Sequence, residues 1–592
     1  MCGICGEIRF DGADANASAI ARMMAVLAPR GPDHGDSMLM GQVGFGHRRL
    51  AIIDLSPRGN QPMHDANTGC ALVFNGTIYN YRDLRRELQT HGQVFTSDSD
   101  TEVILKAYAV WGEDCVRYFT GMFAFAIWDP RSRKLFMARD RMGIKPLYYT
   151  RDRERLRFAS NPQALLAAGG VATDIDPVAL HHHLSLHAVV PAPRTILKSI
   201  RKVRPAYTCT IQADGRTVSR CYWQLAAQRP AEPRSDVEWT EIIHNELINA
   251  VKRRLSAADV PVGVLLSGGL DSSMLVGLLY EAGVEHLHTF SVGFEDAPEE
   301  KGSEFEYSDQ VVARYQTDHK KFLVPNSEVL TRLPEAVMAM AEPMVGQDAV
   351  AFYLLSERVS KEVKVVQSGQ GADEVFGGYF WYPQMAAAHG SAVERFAPYY
   401  VDRSHDEFLA TVDPRLHGPD YTTGRLAHAL TQDFADEFID QVLRFDVTTL
   451  VVDDPVKRVD NMTMAWGLEA RVPFLDHHLV ECAAQMPSHM KLGSHGKHVL
   501  KTIARGLIPD AVIDRPKGYF PVPALKFVRG TFYEFMRDVL ESQACRQRGI
   551  FQQAYVAQLL AAPERYMTPL QGSKLWHLAL LEFWLQTHTD NR

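Results

Sequence analysis

The sequence predicts two folds in tandem, an α+β first part made of stacked antiparallel sheets and a second α/β part with a parallel, doubly wound sheet. Two patterns carry that expectation. Up to about Tyr207, short apolar runs are divided by turns: Val43–Gly46, Ala71–Phe74, Gly121–Trp128 and Lys134–Ala138, the spacing of antiparallel strands. Beyond residue 239, apolar strands at Val260–Leu266, Leu287–Phe294 and Val363–Val366 alternate with helical patterns such as Ser273–Ala282, which is the signature of parallel sheets. The chain has 592 residues, more than one core holds, since single cores stop growing at about 250–300.

Helices interrupt the first part at Ala17–Leu27, where Ile20, Met23, Met24 and Leu27 share a face, and at Thr101–Trp111. Between Gln224 and Glu238 the composition turns polar and proline-containing, as in a linker. The expected organisation is residues 1–207 as first domain, 208–238 as linker and 239–592 as second domain. An amphipathic helix at Trp239–Leu255 leads into the strand Val260–Leu266, whose unbroken apolar run suits burial on both faces. From Pro383 onward the pattern is mostly helical. Leu575-Trp576-His577 and Phe583-Trp584-Leu585 repeat at helical spacing and are expected in the core. His181, His182, His183 and His187 lack acidic or cysteine companions nearby in sequence and are read as solvated.

With 46% hydrophobic and 23% charged residues the chain is neither disordered nor fibrous. Lys+Arg total 63 against 71 Asp+Glu, a formal charge of −8. That balance gives no electrostatic reason to bind nucleic acid or an anionic membrane, and small molecules become the expected partners. No apolar run approaches the roughly 18 residues of a bilayer span, and the first residues have no signal-peptide layout. A cytoplasmic protein is expected. Eight scattered cysteines fit reduced, mostly buried thiols.

Cys2 follows the initiator Met, and removal of Met would leave a thiol and a free α-amine on one residue. The amine, with a pKa of about 7.7–8.0, can then accept the thiol proton. Read alone, Cys2 is equally an ordinary buried thiol or half of a Cys2-Gly3-Ile4-Cys5 metal or redox motif. Further segments are Arg30-Gly31-Pro32-Asp33, His47–Asp54, Phe74-Asn75-Gly76-Thr77-Ile78-Tyr79-Asn80 and Ser97–Glu102. Together with Cys2-Gly3-Ile4 they resemble the glutaminase domain of class II glutamine amidotransferases. The resemblance implies an N-terminal-nucleophile fold of αββα layers, with Cys2 attacking the glutamine side-chain amide. It implies Arg49 on the glutamine carboxylate as a bidentate fork, Asn75 and the Gly76 N–H as oxyanion hole, and Asp100 on the α-ammonium.

In the second part, Val264-Leu265-Leu266-Ser267-Gly268-Gly269-Leu270-Asp271-Ser272-Ser273 is a buried strand turning through two glycines into a helix. Exposed backbone N–H groups and a positive helix end suit a phosphate. The stretch matches SGGxDSS, the pyrophosphate loop of ATP pyrophosphatases. With Phe290–Phe294, Ser368-Gly369-Gln370-Gly371-Ala372-Asp373-Glu374, Glu469–Asp476 and Gly496-Lys497-His498, the second half resembles the synthetase domain of asparagine synthetases, an adenine nucleotide α-hydrolase-like α/β fold. The resemblance implies ATP and Mg2+ as cofactors. Ser267, Gly268, Gly269, Ser272 and Ser273 would hold pyrophosphate, and Leu265, Val292, Ser368 and Gly369 would line the adenosine pocket. Asp271 and Asp373 would be the magnesium carboxylates, with Lys497 neutralising charge as an acyl-adenylate forms and breaks.

Two positions depart from the family pattern. Thr77 stands where Asn-Gly-Glu is usual, removing a carboxylate for the α-ammonium, and otherwise reads as a turn residue. Gln370 stands in the acceptor pocket where glutamine-hydrolysing asparagine synthetases commonly carry Glu, and a neutral amide cannot pair with an amino group as Glu would. The segments His187–Arg194, Glu342–Val345, Val451–Met462 and Asp514–Pro521 are most similar to the subfamily of N-acetylglutaminylglutamine amidotransferases, which amidate an acetylated dipeptide to give a compatible solute. Glutamine, ATP and a carboxylate acceptor are the expected partners. Asparagine synthesis, and an ammonia-dependent synthetase or regulator with a dead glutaminase, are the competing expectations, and a homodimer is left open.

Overall fold

A computed structural model describes residues 2–296, 302–346, 348–515 and 528–590. The first part contains two six-stranded antiparallel sheets. One runs in the order Ile200–Lys202, Tyr148–Arg151, Arg155–Ala159, Gly3–Arg9, Val43–Arg49, His34–Met40. The other runs Thr217–Cys221, Tyr207–Gln212, Lys134–Arg139, Gly121–Asp129, Ala71–Ile78, Met63–His64.

The period-2 alternation of the strands explains the layering. Ile4, Ile8, Val43, Phe45, Ala71 and Val73 point into a shared core between the sheets. Their neighbours Leu72 and Phe74 face outward to the helices Tyr81–Thr90 and Asp100–Trp111. On the opposite side Cys5 packs against Ala17–Val26, whose Ile20 and Met23 form its buried stripe. Helix, sheet, sheet and helix give the expected αββα sandwich, and its first strand carries Cys2 at its head.

The expected linker start at 208 is corrected. Tyr207–Gln212 pairs with Lys134–Arg139 and with Thr217–Cys221, so this hairpin extends the second sheet to Cys221. The outer strand is polar and exposed, which hides it from hydrophobic patterning. The helix Asp236–Ser256, opened by a capping box between Ser235 and Glu238, then begins the second part.

That part is built on a five-stranded parallel sheet ordered Asp318–Val324, His288–Phe294, Val262–Leu265, Val365–Gln367, Glu469–Arg471. Its middle strand, Val262–Leu265, is buried throughout and ends at the Ser267–Gly269 turn. Loops at the carboxyl ends of parallel strands are where such sheets place ligands. The terminal helix Lys574–Leu585 is buried as its aromatic spacing predicts, with Trp576 and Trp584 donating their indole N–H to the backbone oxygens of Val345 and Met340 at 3.0 and 2.8 Å. Among the described residues no helix is long and apolar enough to cross a membrane. All eight cysteines are free thiols.

Trp584→Ala is expected to cost about 3–5 kcal/mol of stability, the usual penalty for emptying a large aromatic core site. A urea titration followed by circular dichroism measures it. A loss under about 1 kcal/mol would mean that this helix is not part of the core.

Candidate functional site

Cys2 is 7% exposed at the head of the strand Gly3–Arg9, and its backbone N–H donates to Asn75 Oδ1 at 3.0 Å. Asn75 Nδ2 is buried with no hydrogen-bond partner, which leaves an amide donor available beside Cys2. Gly76 has φ 155°, and a Cβ there would lie 2.1 Å from Met122 O. The close approach of the Gly121–Asp129 strand therefore demands glycine. Burial pushes the Cys2 thiol above its ordinary range, against the pull of the chain terminus, the Leu50 N–H and Arg49.

Arg49 departs from its expected geometry. Its Nη1 donates to Ser56 O at 2.9 Å and to Asn60 Oδ1 at 2.7 Å, and its Nη2 to the carbonyls of Ile53 and Asp54. Four of the five guanidinium N–H groups thus serve the 53–60 loop, so the planar fork is not free for a bidentate grip on a carboxylate. Asp100 accepts the Ile78 N–H at 3.0 Å, and burial pushes its carboxyl up to about 7.

Thr77 is corrected from a turn residue to a buried strand residue whose hydroxyl lies 3.3 Å from Glu469 Oε1. The fold therefore brings a carboxylate to position 77 from the second part of the chain. Glu469 is ion-paired to Arg471, and despite full burial its carboxyl is held down to about 2, chiefly by that guanidinium.

The two halves meet through buried charge. Arg30 Nε donates to Cys2 O at 3.3 Å, and its Nη1 donates to Asp460 Oδ2 at 3.0 Å. Lys145 Nζ reaches Asp460 Oδ1 at 3.2 Å. Burial alone would raise the Asp460 carboxyl, but the two cations hold it below its ordinary value. Asp460 lies on the helix Lys457–Met464, which also carries Arg458. That helix follows two π-helical turns, Asp446–Leu450 and Val452–Val456, a geometry common at functional sites.

These turns wall a cavity of about 370 Å³ whose other side is the glycine loop. Leu265, Ser267, Gly269, Asp271, Ser272, Val292, Ser368, Gly369, Gln370 and Asp373 all line it. Gly268, with φ 81°, turns the chain where a Cβ would meet Ser308 N at 2.9 Å. Ser273 is buried and lies behind the loop rather than on the cavity wall. The helix Leu270–Glu281 starts at Gly269, and its first N–H groups are the anion-binding end.

Lys497 Nζ sits 2.6 Å from Asp271 Oδ2 and 2.8 Å from Asp373 Oδ1. Burial opposes its charge, yet the two carboxylates raise its pKa. Lys497 ends a run of four positive φ values from Ser494 to Lys497 (54°, 62°, 92° and 57°), and such backbone strain clusters at functional sites. Arg515, which motif reading passed over as a site residue, pairs with Glu304 at 2.9 Å and lines a second cavity with Asp271, Asp373 and Lys497. Residues 516–521 of the expected Asp514–Pro521 motif lie outside the described residues.

The histidines are also corrected. His181, His182 and His183 are buried, and His181 and His182 share Thr422 Oγ1 at 2.8 and 3.1 Å. Acidic companions exist, but they come from more than 200 residues away: Asp420 lies 3.8 Å from His181 and Asp402 lies 3.1 Å from His187.

Nitrogen release at one centre and carboxylate activation at another is the division of labour of glutamine-dependent ATP ligases. Residues 243–586 match the asparagine synthase family, and residues 1–223 match the glutamine amidotransferase domain family. Asparagine synthetase [glutamine-hydrolyzing] 1 of Bacillus subtilis is 30% identical over 100% of this chain and 98% of its own length. Asparagine synthetase [glutamine-hydrolyzing] 3 of the same organism is 32% identical over 88% and 87%. Amidase chry2 of Gibberella zeae is 27% identical over 91% and 92%. This chain belongs to the asparagine synthetase family and is a glutamine-hydrolysing, ATP-dependent ligase.

The position of Asp100 has a pH consequence. With its carboxyl near 7, the anion that would attract the substrate α-ammonium grows from a minority at pH 6 to a majority at pH 8. The KM for glutamine is expected to fall several-fold over that range, up to about tenfold for a single titrating group, and Asp100→Asn is expected to raise and flatten it. Steady-state glutaminase kinetics measure this. A KM profile unchanged in the variant would remove Asp100 from glutamine binding.

Proposed function

We propose that the enzyme transfers the amide nitrogen of glutamine to the terminal carboxylate of an acylated dipeptide, with N-acetylglutaminylglutamine as the acceptor. Cys2 attacks the side-chain amide of glutamine, Asn75 Nδ2 and the Gly76 N–H receive the developing oxyanion, and ammonia leaves from the resulting thioester, which water hydrolyses. In the second part the acceptor carboxylate attacks the α-phosphorus of ATP and displaces pyrophosphate into the Ser267–Ser273 loop. Ammonia, passing across the interface, displaces AMP from the acyl-adenylate to give the amide.

Asp271 and Asp373 converge on one ammonium and carry two negative charges against its one, a hard-oxygen pair suited to Mg2+. Bound there, Mg2+ would supply charge neutralisation on phosphate oxygens. Lys497, between the same carboxylates, would neutralise charge on the reacting phosphate.

The observation that carries the acceptor reading is the neutral amide at position 370, beside cavity carboxylates that, among the described residues, already have protein partners. Arg458 engages Asp348 at 3.1 Å and Asp454 at 2.6 Å, and Lys497 engages Asp271 and Asp373. Tyr379 donates to Glu374 at 2.8 Å, and Tyr382 donates to Asp446, whose carboxyl burial pushes up to about 8. At position 370 stands an amide whose carbonyl already accepts the Ser368 hydroxyl, leaving its NH2 for a carbonyl-rich acceptor. Stacked Tyr379 and Trp381, with ring centroids 4.3 Å apart, add an apolar wall suited to a peptide-sized ligand. Free aspartate would bring an ammonium that the Gln370 amide cannot pair as a carboxylate would. Asparagine synthesis is the alternative, favoured by the names of the bacterial relatives; the fungal relative named an amidase shows that names within the family vary.

Comparing kcat/KM for N-acetylglutaminylglutamine and L-aspartate at saturating ATP and glutamine tests the acceptor. A preference of at least about tenfold for the dipeptide is expected, the equivalent of roughly 1.4 kcal/mol, and preference for aspartate would overturn the reading. Cys2→Ala is expected to abolish glutamine-supported synthesis and to keep ammonia-supported synthesis. Equal loss of both in coupled AMP-release assays would refute two separate centres.

A further inference from the structure

His187, Asp402 and His577 come together from three elements at the rim of the cavity. His187 follows the helix Pro177–Ser185, Asp402 lies between the helices Ala392–Tyr400 and His405–Thr411, and His577 belongs to Lys574–Leu585. His187 lines the cavity, whereas Asp402 and His577 are 2% and 1% exposed. One donor atom from each lies within 4.8 Å of the others. Asp402 Oδ2 is 3.1 Å from His187 Nδ1 and 3.4 Å from His577 Nδ1.

Polar satisfaction around this point is incomplete. Asp402 Oδ1 and both ring nitrogens of His577 are buried with no hydrogen-bond partner. Each such atom costs roughly 1–3 kcal/mol, and the unpartnered His577 Nδ1, which faces Asp402 Oδ2 at 3.4 Å, points to a group that the protein itself does not supply. His187 and Ala188 both adopt left-handed backbone, with φ 49° and 62°, a strain that persists only where surroundings compensate it. Two neighbouring cations are turned elsewhere. Arg403 donates to Leu184 O and Lys574 O at 3.1 Å each, and the Lys574 ammonium is paired with Glu407 at 2.7 Å.

We propose that His187 Nδ1, Asp402 Oδ2 and His577 Nδ1 bind one divalent transition-metal cation of the zinc type, at a site separate from Asp271 and Asp373. Two imidazoles and a carboxylate favour Zn2+ over the all-oxygen shell of Mg2+. Metal–ligand bonds of about 2.0–2.1 Å in a tetrahedron separate ligand atoms by about 3.3 Å, and the two separations from Asp402 Oδ2, 3.1 and 3.4 Å, fall on either side of that value. The ion fastens the strained 186–188 loop to the terminal helix, and so holds one rim of the cavity in place. It takes no part in glutamine hydrolysis.

The test uses the purified full chain, loaded with Zn2+ and dialysed into metal-free buffer, with elemental analysis by mass spectrometry. About one zinc per chain is expected, and Asp402→Asn and His577→Ala are each expected to cut Zn2+ affinity by at least about 10–100-fold. Glutaminase activity at Cys2 is expected to persist in both variants and reports that they are folded. Co2+ in place of zinc is expected to give the intense visible absorption of a four-coordinate site. Should the variants fail to fold, wild-type competition against a chromophoric chelator decides: binding tighter than about micromolar supports the site. A wild-type chain that keeps no zinc, or folded variants with undiminished zinc, would overturn it and leave a purely hydrogen-bonded His–Asp–His cluster.

Discussion

The carboxylate of Asp460, buried between Arg30 and Lys145, is the interaction on which the two-centre architecture depends. The cations come from the first part of the chain and the anion from the second. Removing one member of such a buried set typically costs about 3–5 kcal/mol, because the remaining charge stays buried without its counterion. Arg30 also holds the Cys2 carbonyl, and Asp460 shares its helix with Arg458, which lines the cavity beside the glycine loop. One charge triad thus sets the strand that follows Cys2 and the cavity beside the glycine loop in a fixed relation. Thr77 and Glu469 repeat the theme a short way along the same interface.

This arrangement places each reactive group where its own surroundings do the tuning. Cys2 is buried, which raises its thiol pKa, and the adjacent Asn75 has a buried amide donor with no partner in the protein. At the other centre the ammonium of Lys497 is kept charged by the carboxylates proposed to hold Mg2+. Left-handed backbone occurs at residues 494–497, beside the carboxylate pair.

Much of the fold was legible because its signals are local. Alternating runs such as Gly121–Trp128 became strands of the expected sheet, and the apolar Val260–Leu266 run became the central strand of the parallel sheet. Two elements were not. Thr217–Cys221 is polar and solvent-facing, and is a strand only because Tyr207–Gln212 pairs with it. Glu469-Ala470-Arg471 reads as a charged motif, and becomes a buried edge strand because its two charges neutralise each other beside Val365–Gln367.

By itself the sequence determined the chemistry available: an early cysteine followed by Asn75-Gly76, and a glycine loop between a buried strand and a helix, are short-range patterns whose function follows from neighbouring backbone atoms. Only the tertiary structure decided what those groups meet. Arg49 is turned into its own loop, Thr77 lies on a carboxylate 392 residues away, and His181 and His187 lie beside Asp420 and Asp402. The physical reason is that the free energy of a charge is set by its partners and its exposure. Both are properties of packing between distant segments, which no local pattern records.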